Sequence, residues 1–161
     1  MYRTCIDVFV MLRAFTLFVA ACLLVCSSAL ASPETSSKRV GNYEVHYSAF
    51  NTSFLTPDVA AALNIVRAKD RALINVSVRE YLPGGGDREV AVAAIEGSTF
   101  NLLHRRPLEF IEVKERGAIY YIAEFSIQNN NEMIIIDTSV VPATAERAID
   151  ISIKRHFFHN E

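Results

Sequence analysis

The sequence predicts an all-β fold, an antiparallel β-sandwich of about seven strands with one short helical turn near residues 57–63. Apolar and polar side chains alternate with a period of two in several segments of strand length, as they do in half-buried strands. Glycine and asparagine turns separate these segments at short, regular intervals. Only one segment carries the residues that start a helix, so the rest of the domain is predicted to be β-structure.

The first strand is predicted within the segment from Asn42 to Asn51. Its alternation divides the side chains between two faces, with Tyr43, Val45 and Tyr47 on one and Glu44, His46 and Ser48 on the other. One apolar face and one polar face are typical of an outer wall of a sandwich. The tyrosine and valine face is therefore expected to pack inward.

The helical turn is predicted from Thr56-Pro57-Asp58. These residues supply a threonine cap, a proline at the first helical position and an acid in the first turn. The helix is expected to continue to Leu63, and Asn64 can close it in the left-handed conformation.

A second strand is predicted at residues 74–79, where Ile, Val and Val alternate with polar side chains. The glycine run at residues 84–86 is predicted as a flexible turn. Residues 88–95 are then expected to return as the partner of the second strand.

The later half of the sequence has the clearest strand pattern. Residues 108–115 and 118–128 are predicted to form a hairpin around Arg116-Gly117, and strands follow at 132–140 and 149–154. The face of the second hairpin strand that is predicted to be apolar comprises Ile119, Tyr121, Ala123, Phe125 and Ile127. Four residues of central strands are predicted to point into the core: Tyr121, Phe125, Ile135 and Ile151. Short strands at this spacing favour an immunoglobulin-like sandwich over a small barrel.

Residues 1–31 have the anatomy of an export signal. Arg13 precedes an uncharged run that ends in Ala29-Leu30-Ala31, the small-x-small pattern that signal peptidase recognises. We therefore predict residues 1–31 as a signal peptide, residues 32–39 as a flexible tether and residues 40–161 as the β-sandwich domain. The predicted address is the periplasm.

Two alternatives to cleavage stay open, and so does the position of the initiator. The uncharged run is just long enough to persist as an uncleaved inner-membrane anchor. Val19-Ala20-Ala21-Cys22 loosely resembles a lipoprotein cleavage box, which would lipidate Cys22. Met11-Leu12-Arg13 would make a conventional signal start by itself, so either Met1 or Met11 is the initiator.

A chain cleaved after residue 31 contains no cysteine, because Cys5, Cys22 and Cys26 all lie in the leader. Disulfides, a thiol nucleophile and a thiolate metal site are therefore excluded, and the domain must be held together by its core. The mature part keeps 14 of the 16 basic and 17 of the 18 acidic residues, without a run of one sign. A nucleic-acid-binding role, which needs a clustered basic face, is not supported.

Glu44 and His46 are the first residues with chemical potential, because they share one face of a strand. Such a pair can orient a general acid and base or donate metal ligands. No third partner is identifiable in the sequence, and a solvated outer face has the same pattern. We therefore predict no catalytic, cofactor-binding or metal-binding residues, and we take Glu44, His46 and Ser48 as a candidate interaction face.

Three further groups carry weaker signals. His156 and His159 would share a face only in a helix, and in a strand they diverge. The basic residues 104–106 are predicted as a solvated loop rather than an anion site. Four tyrosines could form a binding platform, but packing in the core and on the sheet faces is favoured for them: Tyr43, Tyr47, Tyr120 and Tyr121.

Two stretches carry a resemblance to a known family. The segments from Gly41 to Pro57 and from Ala118 to Phe125 resemble the bacterial family called domain of unknown function 4426, and the similarity runs from about Lys38 to the C-terminus. The family consists of small exported proteins of Gram-negative bacteria, so the resemblance implies a periplasmic address. It implies no reaction, ligand or functional residue.

The sequence thus predicts a non-enzymatic binding or interaction module of the cell envelope that needs no cofactor. Its expected partner is another envelope protein, bound through an exposed strand edge or through loops at one end. One alternative is a small-ligand or peptidoglycan-associated binding domain, and a less favoured one is a hydrolase that uses Glu44 and His46. A surface without a cavity of at least about 300 Å³ would argue against a small ligand.

Overall fold

The structure is a computed structural model that describes residues 36–159. Within these residues the strands are β1 (Ser36–Val40), β2 (Tyr43–Asn51), β3 (Arg71–Tyr81), β4 (Asp87–Glu89), β5 (Val92–Phe100), β6 (Arg105–Pro107), β7 (Ile111–Glu115), β8 (Ala118–Ser126), β9 (Glu132–Pro142) and β10 (Ile149–Phe157). A 3-10 turn (Thr52–Phe54) and a short helix, α1 (Pro57–Ala62), follow β2. The predicted β-sandwich with one short helical turn is confirmed, with more strands than expected.

The strands form two antiparallel sheets. Sheet A has the strand order β1-β2-β3-β8-β7, and β4 pairs with the end of β3. Sheet B has the order β10-β9-β5-β6. We call the face of each sheet that is turned away from the other sheet its outer face.

The main core lies between the two sheets. Its largest fully buried side chains include Ile74, Val76 and Val78 of sheet A and Ile134, Ile136 and Val140 of sheet B. Phe125 of β8 meets Phe157 of β10 edge to face, with ring centroids 5.3 Å apart and an interplanar angle of 86°. Because β8 and β10 belong to different sheets, this aromatic pair joins the two layers.

Most of the inward residues were predicted correctly. Tyr121, Phe125 and Ile151 are buried, as expected from the alternation of their strands. Ile135 was placed on the wrong face: it is only half buried, whereas Ile134 and Ile136 fill the core. The run of consecutive apolar residues in β9 contains no alternation, so the sequence does not define which of them points inward.

The pairing of the segment 88–95 also differs from the prediction. Only β4 pairs with β3, after which the chain crosses to the other layer and β5 pairs with β9 in sheet B. Arg105 and Arg106, which were predicted in a solvated loop at residues 104–106, belong with Pro107 to the short strand β6. Of the predicted tether, residues 36–39 belong to β1, which pairs with β2 along its whole length.

The strand predicted at residues 108–115 begins later, at Ile111. Leu108 is instead buried near Gly97, whose carbonyl oxygen accepts a hydrogen bond from the Leu108 N–H at 2.9 Å. A Cβ atom on Gly97 would lie 3.2 Å from a methyl group of Leu108. The absence of a side chain at residue 97 therefore makes room for Leu108 to pack inward.

Helix α1 lies beside the outer face of sheet A, where a second apolar cluster forms. Thr56 caps α1 as predicted, its Oγ1 accepting from the N–H of Val59 at 3.4 Å, and Asn64 ends the turn with φ of 54°. Ile65, Leu73 and Ile122 are the buried members of the cluster. Strands β3 and β8 therefore bury apolar side chains on both of their faces.

The predicted leader, with its cleavage site and its alternatives, lies outside the residues that the structure describes. Within residues 36–159, no helix has the length and apolar character needed to cross a membrane.

Candidate functional site

The predicted interaction face of Glu44, His46 and Ser48 lies on the outer face of sheet A. Glu44 accepts two hydrogen bonds, from the Ser37 hydroxyl to Oε1 at 2.7 Å and from the Tyr81 hydroxyl to Oε2 at 2.6 Å. These two bonds, that from Ser37 first, lower the pKa of Glu44 below its ordinary value. Glu44 is therefore a carboxylate whose two oxygens are both engaged at neutral pH.

His46 stands beside this carboxylate without bonding to it. Its Nε2 atom is 3.7 Å from Glu44 Oε2, which is beyond hydrogen-bond distance. Among the residues that the structure describes, no three His, Cys, Asp or Glu side chains gather as a metal site. The face therefore carries a hydrogen-bonded carboxylate and a neighbouring imidazole.

A cavity of 440 Å³ adjoins this face, between α1 and the outer face of sheet A. Its apolar lining includes Phe50, Leu55, Val59, Leu73, Tyr120 and Ile122. Three polar side chains complete it: Asp58, Asn75 and Glu115. We call this cavity the α1 groove; its size and its mostly apolar lining are those of small-molecule sites.

The α1 groove is built by segments that are distant in the sequence. Leu73 of β3 and Ile122 of β8 supply apolar surface from the sheet, while Val59 of α1 faces them with 44% of its surface exposed. The residues of the groove were not predicted as a site. A signal existed in the consecutive apolar residues 72–74 and 120–123, because strands that are apolar at adjacent positions are covered on both faces.

Strand register joins the predicted face to the α1 groove. Ser48 of β2 is opposite Asn75 of β3, and Asn75 is opposite Ile122 of β8. His46 is opposite Ser77, one step further along the same face. The polar residues predicted from the sequence and the apolar groove are thus two halves of one continuous surface.

The other predicted residues are dispersed. His156 Nδ1 is 2.9 Å from the side-chain oxygen of Asn131, and His159 Nε2 is 3.4 Å from the carbonyl oxygen of Ile127. Each imidazole thus has a separate polar partner. Arg105, in the basic segment 104–106, pairs with Asp137 at 3.2 Å.

The four tyrosines do not form one platform. Tyr43 and Tyr47 pack against the core between the sheets, and Tyr121 is buried there. Burial, with a hydrogen bond to Glu112, raises the pKa of Tyr121 above its ordinary value. Only Tyr120 lines the α1 groove.

A larger depression of 610 Å³ lies on the outer face of sheet B, but its polar groups bind one another. Ser139 donates to Asp150 at 2.8 Å, and Ser152 donates to Asp137 at 2.7 Å. Carboxylates that already accept hydrogen bonds from neighbouring hydroxyl groups gain less from a ligand. The α1 groove is therefore the stronger candidate site.

Comparison with known proteins gives the family but no activity. The chain has 37% sequence identity with a DUF4426 family protein from Pseudomonas aeruginosa PAO1 whose crystal structure was determined at 2.09 Å. The match covers 79% of this chain and 97% of that chain, with a TM-score of 0.66. Comparison with the curated proteins gives no match. Residues 37–160 match the family model described as "Domain of unknown function (DUF4426)", and the chain therefore belongs to that family.

Proposed function

We propose that the chain is a non-enzymatic binding module of the bacterial cell envelope, with the α1 groove as its ligand-binding site. The observation that carries this proposal is the groove itself, a mostly apolar cavity of 440 Å³. That volume exceeds the roughly 300 Å³ at which cavities begin to hold small molecules. A ligand with an apolar body fits this lining best.

A hydrolase that uses Glu44 and His46 is the less favoured reading. A general base must present a proton-accepting atom to its substrate, whereas both carboxylate oxygens of Glu44 accept hydrogen bonds from the protein. His46 Nε2 is 3.7 Å from the carboxylate, too far for the hydrogen bond that would orient the ring. Recognition therefore explains this surface more simply than catalysis does.

The periplasmic address is part of the proposal and rests on the leader. We expect the intact mass of the exported protein to begin at Ser32, after Ala29-Leu30-Ala31. Recovery of the full-length chain in the inner membrane would establish the anchor instead. A lipid adduct on Cys22 would contradict both.

The binding function is tested with the neutral apolar dye N-phenylnaphthylamine, whose fluorescence rises in apolar surroundings. The exported protein, expressed from its full-length gene, is titrated with the dye as wild type, as Val59→Asp and as Val66→Asp. Val59 lines the α1 groove and is 44% exposed, whereas Val66 is 56% exposed and does not line it. The two variants therefore bring the same charge to similarly exposed valines.

We expect the wild type and Val66→Asp to bind the dye alike, and Val59→Asp to lose at least about tenfold in affinity, because a carboxylate is costly to desolvate in an apolar site. Thermal unfolding of both variants should match the wild type, since surface changes have small effects. Absence of saturable dye binding to the wild type, or equal binding by the three proteins, would refute the proposal. If the dye binds as expected, organic extraction of the exported protein and mass spectrometry would identify a natural ligand.

A second candidate, recognition of another envelope protein, is favoured by the edge of sheet A. Strand β7 ends the sheet, and its residue Ile111 is 46% exposed next to the α1 groove. An exposed strand edge can pair with an added strand of a partner. Photoreactive residues at Ser48 and at Ile111 should then crosslink the same envelope protein in intact cells, and Glu44→Ala should weaken the crosslink from Ser48.

A further inference from the structure

Apart from carboxylate oxygens of Glu89 and Glu124, two buried polar atoms on the outer face of sheet A have no hydrogen-bond partner within the described residues. They are Oδ1 of Asn75, which lines the α1 groove, and Nε2 of His46. Buried polar atoms are nearly always bonded, because leaving one unpaired costs its full desolvation energy. Such atoms beside a ligand-sized cavity therefore indicate which groups the ligand should supply.

The two atoms belong to neighbouring strands. Asn75 is opposite Ser48 and His46 is opposite Ser77, so Asn75 and His46 are diagonal neighbours on one face. Diagonal neighbours in antiparallel strands lie roughly 7–8 Å apart. One small head group can reach both side chains while its apolar body lies in the α1 groove.

Hydrogen-bond chemistry limits the head group. The side-chain oxygen of Asn75 only accepts, so the ligand must donate an N–H or an O–H. Nε2 of His46 can donate or accept according to its tautomer. It can therefore bond to a second polar atom of a hydroxyl or amide head group.

Charge limits the head group further. The nearby acids are Asp58 and Glu115 in the groove and Glu44 beside His46. Arg116 approaches Glu115 no closer than 3.8 Å, and its side chain is 91% exposed, so it offsets little of this charge. Arg39 and Arg79 are opposite Glu44 on the neighbouring strands and offset its charge. By contrast, Asp58 and Glu115 in the groove would repel an anionic head.

We propose that Asn75 and His46 form a polar subsite that binds the hydroxyl or amide head of an uncharged amphiphile whose apolar body occupies the α1 groove. This inference rests on the proposed binding function of the groove. It adds the class of ligand and the orientation in which that ligand lies, with its head towards β2 and its body between α1 and β8.

Three probes with the same acyl chain separate the effect of hydrogen-bond donation by the head group from the effect of its charge. Each probe is added to compete with bound N-phenylnaphthylamine. Octanamide is neutral and donates, methyl octanoate is neutral and only accepts, and octanoate is anionic. We expect octanamide to bind about tenfold more tightly than methyl octanoate, as one hydrogen bond to a buried acceptor allows. Octanoate should bind most weakly of the three.

The variant Asn75→Leu tests the subsite directly. Affinity for octanamide should fall to that for methyl octanoate, while methyl octanoate, as the matched ligand control, should bind at least as well as before. His46→Phe should also weaken octanamide more than methyl octanoate.

Equal affinity of the wild type for octanamide and methyl octanoate, with dye binding intact, would overturn the subsite and leave the binding function standing. Unchanged preference in Asn75→Leu would do the same. If the dye itself does not bind, both the function and the subsite are wrong. Dye binding by Asn75→Leu equal to that of the wild type would show that this variant is folded.

Discussion

Replacing Phe125 by alanine tests whether the two layers are held together by the contact described between them. Phe125 is only 9% exposed and meets Phe157 of the opposite sheet at 5.3 Å. A buried phenylalanine removes about 150–250 Å² from water, which corresponds to about 4–6 kcal/mol at 25 cal/mol per Å². Alanine keeps part of this area, so we expect a loss of about 3–5 kcal/mol. That is a large share of the roughly 5–15 kcal/mol by which domains are stable.

The assay is urea unfolding of the chain from residue 32, followed by far-ultraviolet circular dichroism. Phe54→Ala is the control, because this phenylalanine is 69% exposed and should change stability by less than about 0.5 kcal/mol. A double-mutant cycle with Phe157→Ala should give a coupling of about 0.5–1.5 kcal/mol. A loss below about 1 kcal/mol for Phe125→Ala, or zero coupling, would refute the contact between the sheets.

Three further predictions follow from single contacts. Thr56→Ala should destabilise the domain by about 1 kcal/mol through the lost helix cap. It should also weaken dye binding because α1 borders the groove, and dye affinity equal to that of the wild type would contradict this. Gly97→Ala should cost about 1–3 kcal/mol, since its Cβ would lie 3.0 Å from the Asp137 carbonyl oxygen, whereas Ser98→Ala should be nearly neutral; equal unfolding midpoints would refute it. Because hydrogen bonds lower the pKa of Glu44 below its ordinary 4.5, its stabilisation is complete above that pH and is lost as the pH falls through the lowered pKa. Glu44→Gln should therefore reduce the loss of unfolding free energy as the pH falls below 4.5. The same pH dependence in the variant and the wild type would show that these hydrogen bonds do not stabilise the carboxylate.

Local alternation predicted the inward face of β2 and β8 because side-chain direction follows directly from strand geometry. Val45, Tyr121 and Phe125 are buried as that rule requires. The same rule failed in β9, where consecutive isoleucines do not define the phase and Ile135 was wrongly predicted to point inward. The pairing of residues 88–95 with β3 was also predicted wrongly beyond Glu89, because the chain crosses from sheet A to sheet B before Val92 and pairing partners are set by contacts between distant residues.

The sequence likewise predicted the part of the candidate site that lies on one strand and missed the part that is built from distant segments. Glu44, His46 and Ser48 were found from the sequence because one strand carries all three at a spacing of two. The α1 groove was missed because its walls come from a helix, from β3 and from β8, and no short segment contains its pattern. Consecutive apolar residues on a strand indicate that both of its faces are covered, but they do not indicate which element covers them. Here α1 covers only part of the outer face of sheet A. The uncovered remainder is apolar beside Ile122 and polar beside His46, and its two parts come from strands that only the folded chain brings together.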